Sequence, residues 1–410
     1  MESAPPRAET RLVYSLTLAT ALQWLGASAV LPLLPEYLRQ EGGSDALVGM
    51  VMGAFFAAGV LVQFPAGWVA DRIGRRPVLL GGLVLYAVAS LGFALSTSPT
   101  LDIVLRALQG TGSGMETVAA LALLSSAVPI VRRGRAVANI YGGQLAGLAI
   151  GPLIGSLAGL DHMGAVFVAA GLTSLLACLP VLSATSGGTP GEFVAPDQGR
   201  RPRLLALRSV QGALGAAAAL GLLFGVYETC WTLLLQSQGA VSWQIGLSWT
   251  LFAVPFVIMA RPGGWLADHL DRRRLVAATV TTSIVFCVSY PFMHNLTALL
   301  VLGGVEGVGV AVALPSAQSM LTEACAPEQH GRAQGLFATA ETGAVAVSAL
   351  AGGVLFGSAH WAPFVVAGVA SAGLLAAALI RWGPVPGRVA HASVPTPVPG
   401  PAPAAEMGPA

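Results

Sequence analysis

The sequence predicts an all-α membrane protein of twelve transmembrane helices in two pseudo-symmetric six-helix halves, and three observations carry that prediction. Charged residues are 10% of the 410, and the apolar set is 55%, where soluble domains carry about 25% charge. The mean hydropathy is +0.73. Apolar runs long enough to cross a bilayer, about 20 residues at 1.5 Å rise each, recur along the whole chain. Unusual residues of the first half return in the second at a constant offset of 197. So few charges leave no polar skin for a cytosolic enzyme, no basic face for nucleic acid and no solvated bulk for a disordered chain. The expected partners are a lipid bilayer and a small-molecule substrate, not nucleic acid, and the chain is expected as a monomer.

Twelve apolar segments follow in order: 12–38, 46–68, 77–95, 101–128, 136–159, 164–184, 209–236, 244–264, 275–293, 297–325, 334–357 and 361–381. Turn chemistry separates them, as in Ser96-Thr97-Ser98-Pro99, Asp161-His162 and His294-Asn295. The first segment has a cleavage-like Ala27-Ser28-Ala29, yet its apolar run continues through Leu38, so it reads as a span and not a signal peptide. Residues 185–208 turn to Gly, Thr, Pro and Arg and read as a linker between an N-terminal half (12–184) and a C-terminal half (209–383). A short segment, 1–11, precedes the first half. Residues 384–410, nearly all Pro, Ala, Val and Gly, cannot bury a core and read as a disordered tail.

Orientation comes from the arginines, which are all 21 of the basic residues. With the N-terminus inside, 18 of the 21 fall in inner loops and ends, Arg39 alone falls outside, and Arg106 and Arg261 lie within spans. That bias places both termini in the cytoplasm and the protein in the cytoplasmic (inner) membrane as a multi-pass chain. The four cysteines, Cys178, Cys230, Cys287 and Cys325, lie in or beside apolar stretches without metal-ligand spacing. They read as buried free thiols. No metal and no cofactor is expected, and no nucleophile–base pair or phosphate loop suggests an enzyme.

The repeat is specific. Gly67-Trp68-Val69-Ala70-Asp71 maps onto Gly264-Trp265-Leu266-Ala267-Asp268, Arg75-Arg76 onto Arg272-Arg273, and Pro65 onto Pro262. Gly110 and Gly112 meet Gly307 and Gly309, and Gly134-Arg135-Ala136 meets Gly331-Arg332-Ala333. Two parallel repeats related by an axis along the membrane normal imply a substrate site between them near the midplane.

Between the second and third segments stands Gly67-Trp-Val-Ala-Asp71-Arg72-Ile-Gly74-Arg75-Arg76. Gly67 is expected to allow close helix contact and Gly74 a tight turn, and the Asp71 carboxylate can pair with arginine or a helix N-terminus. The run resembles the loop signature G-x-x-x-D-R-x-G-R-[RK] of the major facilitator superfamily at every fixed position. The resemblance implies the major facilitator fold and a conformational latch at Asp71 and Arg75. The second copy keeps Asp268 and Arg272 but has His269 and Asp271 where arginine and glycine stand in the first.

Arg106-Ala-Leu-Gln109-Gly110-Thr-Gly112 is similar to the superfamily's R-x-x-Q-G-x-G segment, linked in proton antiporters to proton transfer; an arginine inside a span is functional by default. The fifth segment carries Gly147, Gly151, Pro152 and Gly155, glycines on one flat helix face with a proline that permits a bend. This resembles the drug:proton antiporter signature G-x-x-x-G-P-x-x-G-G, with Ser156 departing at the last position. Gly26 and the Pro32-Leu-Leu-Pro35-Glu-Tyr37 run of the first segment are also similar to that branch.

Glu116, Glu228, Glu306 and Glu341 all fall within apolar spans, where a charge costs at least about 2.5 kcal/mol. Under the offset, Glu306 takes the place of Gln109 and Glu341 the place of Gln144. A carboxyl group so placed can hold a proton, release it when a cation arrives and reload after access switches. With Arg106 these four are the proton-coupling candidates. Gln23, Trp24, Gln109, Gln144, Tyr227 and Trp231 are candidate walls of the substrate cavity.

The expected function is proton-coupled export of lipophilic small molecules, cations among them, by alternating access, with protons as the coupling ion. A proton symporter or facilitator importing a sugar or metabolite keeps the same fold, but the Gly-Pro run of the fifth segment argues against it. A ligand-binding membrane receptor or scaffold would have no use for the repeat or the embedded carboxylates.

Overall fold

The computed structural model describes residues 7–184, 204–325 and 329–382. Residues 185–203 of the expected linker and the tail 384–410 lie outside the described residues.

The first span is interrupted: α1 (Arg7–Val30) and α2 (Leu34–Gln40) are joined by a turn at 31–33, with Pro35 in the first turn of α2. The rest of the N-terminal half is α3 (Asp45–Ile73), α4 (Arg75–Phe93), α5 (Pro99–Ala127), α6 (Ile130–Ala158) and α7 (Met163–Ser183). The C-terminal half opens on α8 (Arg208–Val226), which runs through a π-helical turn at Tyr227–Trp231 into α9 (Thr232–Ser237). It continues with α10 (Ser242–His269), α11 (Arg272–Ser289), α12 (Leu296–Glu323), α13 (His330–Ser358) and α14 (Ala362–Trp382). Counting α1 with α2, and α8 with α9, as single spans gives the twelve segments expected. Among the described residues, eleven helices are long and apolar enough to cross a membrane by length and composition. The remaining one is α5, which carries Asp102, Arg106 and Glu116.

Local chemistry sets the helix ends. Ser44 accepts from the Leu47 N–H, Asn295 from Ala298 and Asp271 from Arg273, each capping the helix that follows. Gly74 links α3 to α4 at φ 102°, a left-handed conformation that disfavours any side chain. The close contact expected at Gly67 is not tight: a Cβ there would meet Val118 at an ordinary 3.7 Å. The fifth segment behaves as expected, because a Cβ at Gly147, Gly151 or Gly155 would overlap Leu25, Ser28 or Ala29 of α1. The three glycines are what lets α6 lie against the α1 backbone.

The repeat is three-dimensional. Arg76 donates to the carbonyls of Val181 (2.9 Å) and Leu182, and Arg273 donates to that of Leu379 at 2.8 Å, the position 197 residues beyond Leu182. A Cβ at Gly110 would overlap the Phe55 carbonyl, and one at Gly307 would overlap that of Phe252, again one offset apart. Both halves therefore use the same helix register.

The halves meet through α3 against α13 and α6 against α10, and the close contacts lie at the arginine-poor ends. Gly49 and Gly353 approach backbone to backbone, and Gly246 faces Ser156 and the Pro152 carbonyl. Thr250 donates to the Ala149 carbonyl at 2.9 Å and Thr232 to the Pro32 carbonyl at 2.7 Å. Arg39 pairs with Asp45 and sits over the Phe356 ring at 5.4 Å. Toward the arginine-rich ends the same helices expose repeat-matched side chains, Leu61 and Trp68 on α3, Ile258 and Trp265 on α10.

Candidate functional site

A cavity opens among the helices of the C-terminal half, with about 610 Å³ of empty space when the open solvent at its mouth is included, and Leu148 of α6 from the other half borders it. Phe224, Tyr227, Trp231, Trp249, Phe252 and Tyr290 form its walls, with the carboxyl groups of Glu228 and Glu306 and the open space at Gly303. A smaller space of about 170 Å³ shares Phe224, Tyr227, Phe252 and Glu306 and reaches Leu220, Ser283 and Val310.

The π-turn shapes this wall. Its wider winding places Tyr227, Glu228 and Trp231 together on the lining, and such turns inside α-helices occur frequently at functional sites. Tyr227 and Trp231 meet edge to face with centroids 5.9 Å apart, and Trp231 and Tyr290 at 5.1 Å. The Trp231 indole N–H donates to the Ser248 hydroxyl at 2.9 Å, which fixes the ring.

Glu306 is the centre of the polar chemistry. It is 3% exposed, and its Oε1 accepts from the Tyr227 hydroxyl at 2.9 Å while Oε2 accepts from Tyr290 at 2.8 Å. Ser283 adds a third hydroxyl. Among the described residues, the groups holding Glu306 are hydroxyls and none is a cation. A carboxylate offers about four lone-pair sites, so an incoming donor can still bind.

Glu228 also lines the cavity, and its Oε2 is buried without a hydrogen-bond partner. Its charge and that of Arg106 in the opposite half act on one another. Arg106 is 1% exposed; Nη1 donates to Gln109 Oε1 at 2.9 Å, the guanidinium lies 4.5 Å from the Phe55 centroid, and Nε and Nη2 have no partner. Gln109 in turn donates to Ser90 at 2.9 Å. The arginine of the fourth span is thus wholly buried and does not reach the interface.

The other expected residues are dispersed. Glu116 is buried between α1 and α5, accepting from Thr20 at 3.0 Å and Thr117 at 3.3 Å, away from the cavity. Glu341 is half-buried on α13, and its charge acts on Tyr141 of α6 across the halves. Gln23 is buried with both amide atoms unpartnered, while Trp24 and Gln144 are half-buried and do not line the cavity. The structure therefore gathers Tyr227, Glu228, Trp231 and Glu306 into one site and leaves the rest around it.

Where α3 passes into α4, Asp71 near the end of α3 pairs at 4.0 Å with Arg75, the first residue of α4, and Arg75 also donates to the Ala122 carbonyl at 3.1 Å. Arg72 lies over the Trp68 ring at 3.6 Å. In the second copy Arg272 pairs with Glu323. The Asp268 side chain lies outside the described residues.

Phe252, Tyr290, Trp249 and Gly303 were not singled out from the sequence. One signal was available for two of them: Phe252 stands 197 residues after Phe55, and Gly303 197 after Arg106.

The chain is 35% identical to the inner membrane transport protein YajR of Escherichia coli K12 over 198 residues, 45% of this chain and 43% of that one. The chain thus spans less than half the length of this relative. It is 27% identical to multidrug resistance protein D of the same organism over 286 residues, 68% of this chain and 70% of that one. Among solved structures, a D-xylose–proton symporter superposes with TM-score 0.74 at 16% identity, over 92% of this chain and 98% of that one. That likeness shows the fold alone. The family model of the Major Facilitator Superfamily matches residues 16–240 and 212–406, together most of the sequence. A multi-pass chain of paired six-helix repeats, matched along most of its sequence by that family, belongs to the Major Facilitator Superfamily.

Proposed function

We propose that this transporter exports lipophilic small molecules, cations among them, in exchange for protons. The observation that carries the reading is Glu306, a carboxyl group held by hydroxyls alone in an aromatic cavity. An aromatic wall accepts varied apolar bodies, and one ionisable group can answer to either a proton or a cation. In the proposed cycle Glu306 gives up its proton to the cytoplasm as substrate arrives, and the cavity then turns outward. There a proton from outside binds Glu306, substrate leaves, and the protonated carrier returns. The similarity to multidrug resistance protein D and the Gly147–Gly155 face with Pro152 support export over import.

Placing the arginine-rich ends in the cytoplasm makes the contacts of Gly49, Gly246, Thr232 and Thr250 the outer closure, so the cavity of this conformation belongs to the cytoplasmic side. The Asp71–Arg75 loop then sits at the open end, where it would latch when the inner ends close. The linker and two halves expected at 12–184, 185–208 and 209–383 fit this movement of one half against the other.

The test is transport of a fluorescent lipophilic dye in proteoliposomes with an imposed pH gradient. Wild type should move dye against its gradient as protons run down theirs, and Glu306→Gln should lose that dependence on the pH gradient while still equilibrating dye. A Glu306→Gln protein that responds to the gradient like wild type would overturn the coupling role.

A further inference from the structure

The internal repeat contains, in its first half, a worked example of what the cavity of the second half can hold. In the first half Phe55 of α3 and Gln109 of α5 enclose the Arg106 guanidinium, which stacks on the ring at 4.5 Å and donates to the amide oxygen at 2.9 Å. One offset later, the same three positions are Phe252, Glu306 and Gly303. The register is the same, because α5 crosses α3 at Gly110 against the Phe55 carbonyl and α12 crosses α10 at Gly307 against that of Phe252.

Two substitutions separate the sites. Gly303 removes the arginine, and a Cβ built there would meet nothing within 4 Å. Glu306 replaces the neutral amide with a carboxyl group. Phe252, Gly303 and Glu306 all line the cavity. The second half thus keeps the ring and the acceptor, strengthens the acceptor, and omits the cation.

We infer that Phe252, Glu306 and the space at Gly303 form a subsite for a planar cationic head group of the guanidinium or amidinium class. The head stacks on Phe252 and donates to Glu306, as the Arg106 guanidinium does on Phe55 and Gln109. Glu228 lines the same cavity, and its charge and that of Arg106 act on one another across the halves. The aromatic wall of Trp231, Trp249 and Tyr290 receives the apolar body. The inference names the substrate chemistry of the site proposed above and rests on that reading.

The experiment measures binding to the purified full chain in nanodiscs with three probes of equal length: an alkylaryl guanidinium, the matching trimethylammonium and the neutral urea. The guanidinium should bind about tenfold or more tighter than the urea, with the ammonium between them, since stacking and a charged hydrogen bond each add to the neutral contact. Phe252→Ala and Glu306→Gln should each remove most of that preference. Gly303→Arg supplies the head group from within: it should abolish guanidinium binding, and its melting temperature should fall further with Glu306→Gln than wild type's does. Equal affinity for guanidinium and urea overturns the subsite, as does a Gly303→Arg protein whose stability ignores Glu306. Proton-driven dye efflux without guanidinium preference would overturn the subsite and leave the export reading. Guanidinium preference without proton-driven transport would do the reverse.

Discussion

The Thr250 hydroxyl of α10 donates to the Ala149 carbonyl of α6 at 2.9 Å, joining the two halves of the chain at their arginine-poor ends. Beside it Gly246 faces Ser156 and the Pro152 carbonyl, and on the other side of the interface Gly353 faces Gly49. These contacts leave no room for a side chain. Gly353→Leu should therefore wedge the closure open. Spin labels on the arginine-poor ends of α3 and α13 should report longer distances, by electron–electron double resonance, than in the parent protein.

The Tyr227 and Tyr290 hydroxyls donate to the two Glu306 oxygens at 2.9 and 2.8 Å. Tyr290→Phe keeps the ring packing against Trp231 and removes one donor from a buried carboxyl group. The expected loss is about 1–3 kcal/mol of stability. It should appear as a lower melting temperature in detergent, with Tyr227→Phe behaving alike.

Arg106 is held by Gln109 and Phe55 and faces the charge of Glu228. Arg106→Ala removes a charged hydrogen bond worth about 1.5–3 kcal/mol and leaves Glu228 without its opposing charge. Adding Glu228→Gln should restore part of the loss. A double-mutant cycle on thermal stability measures that coupling, and additive effects would show that the two residues do not sense each other.

Asp71 is half exposed and pairs with Arg75 across the junction of α3 and α4. Asp71→Asn should slow turnover in proteoliposomes while leaving equilibrium substrate binding near wild type, the outcome for a group that acts in one conformation only. A normal rate would leave the loop with topology as its sole function.

For sidedness, single cysteines at Glu41 and Arg274 in a chain with its four native cysteines replaced by serine should differ. Glu41→Cys should react with a membrane-impermeant maleimide in intact cells, and Arg274→Cys only after lysis.

Much of the fold was legible because lipid imposes one-dimensional rules. A span must be an apolar run of fixed length, and the repeat writes its register into unusual residues such as Gly110 and Gly307. The exception is α5, a less apolar span that carries Asp102, Arg106, Gln109 and Glu116. The site was less legible. Glu306, Glu228, Tyr227 and Trp231 stood out as polar or aromatic residues in apolar runs, and they share the cavity. Glu116, equally prominent in sequence, is satisfied by Thr20 and Thr117 elsewhere. Sequence reports that a carboxyl group is embedded; it does not report which face of the helix carries it into which space.

The sequence by itself determined the solvent, the number of spans, the two-fold repeat and the residues costly enough to matter. Each follows from hydropathy, charge placement and a constant offset, which need no contact between distant residues. The tertiary structure alone decided which end of the paired halves is closed, that a π-turn gathers Tyr227, Glu228 and Trp231, and that a cavity lies beside Glu306. The last depends on packing: Arg106 fills the space in one repeat, and Gly303 leaves it open in the other.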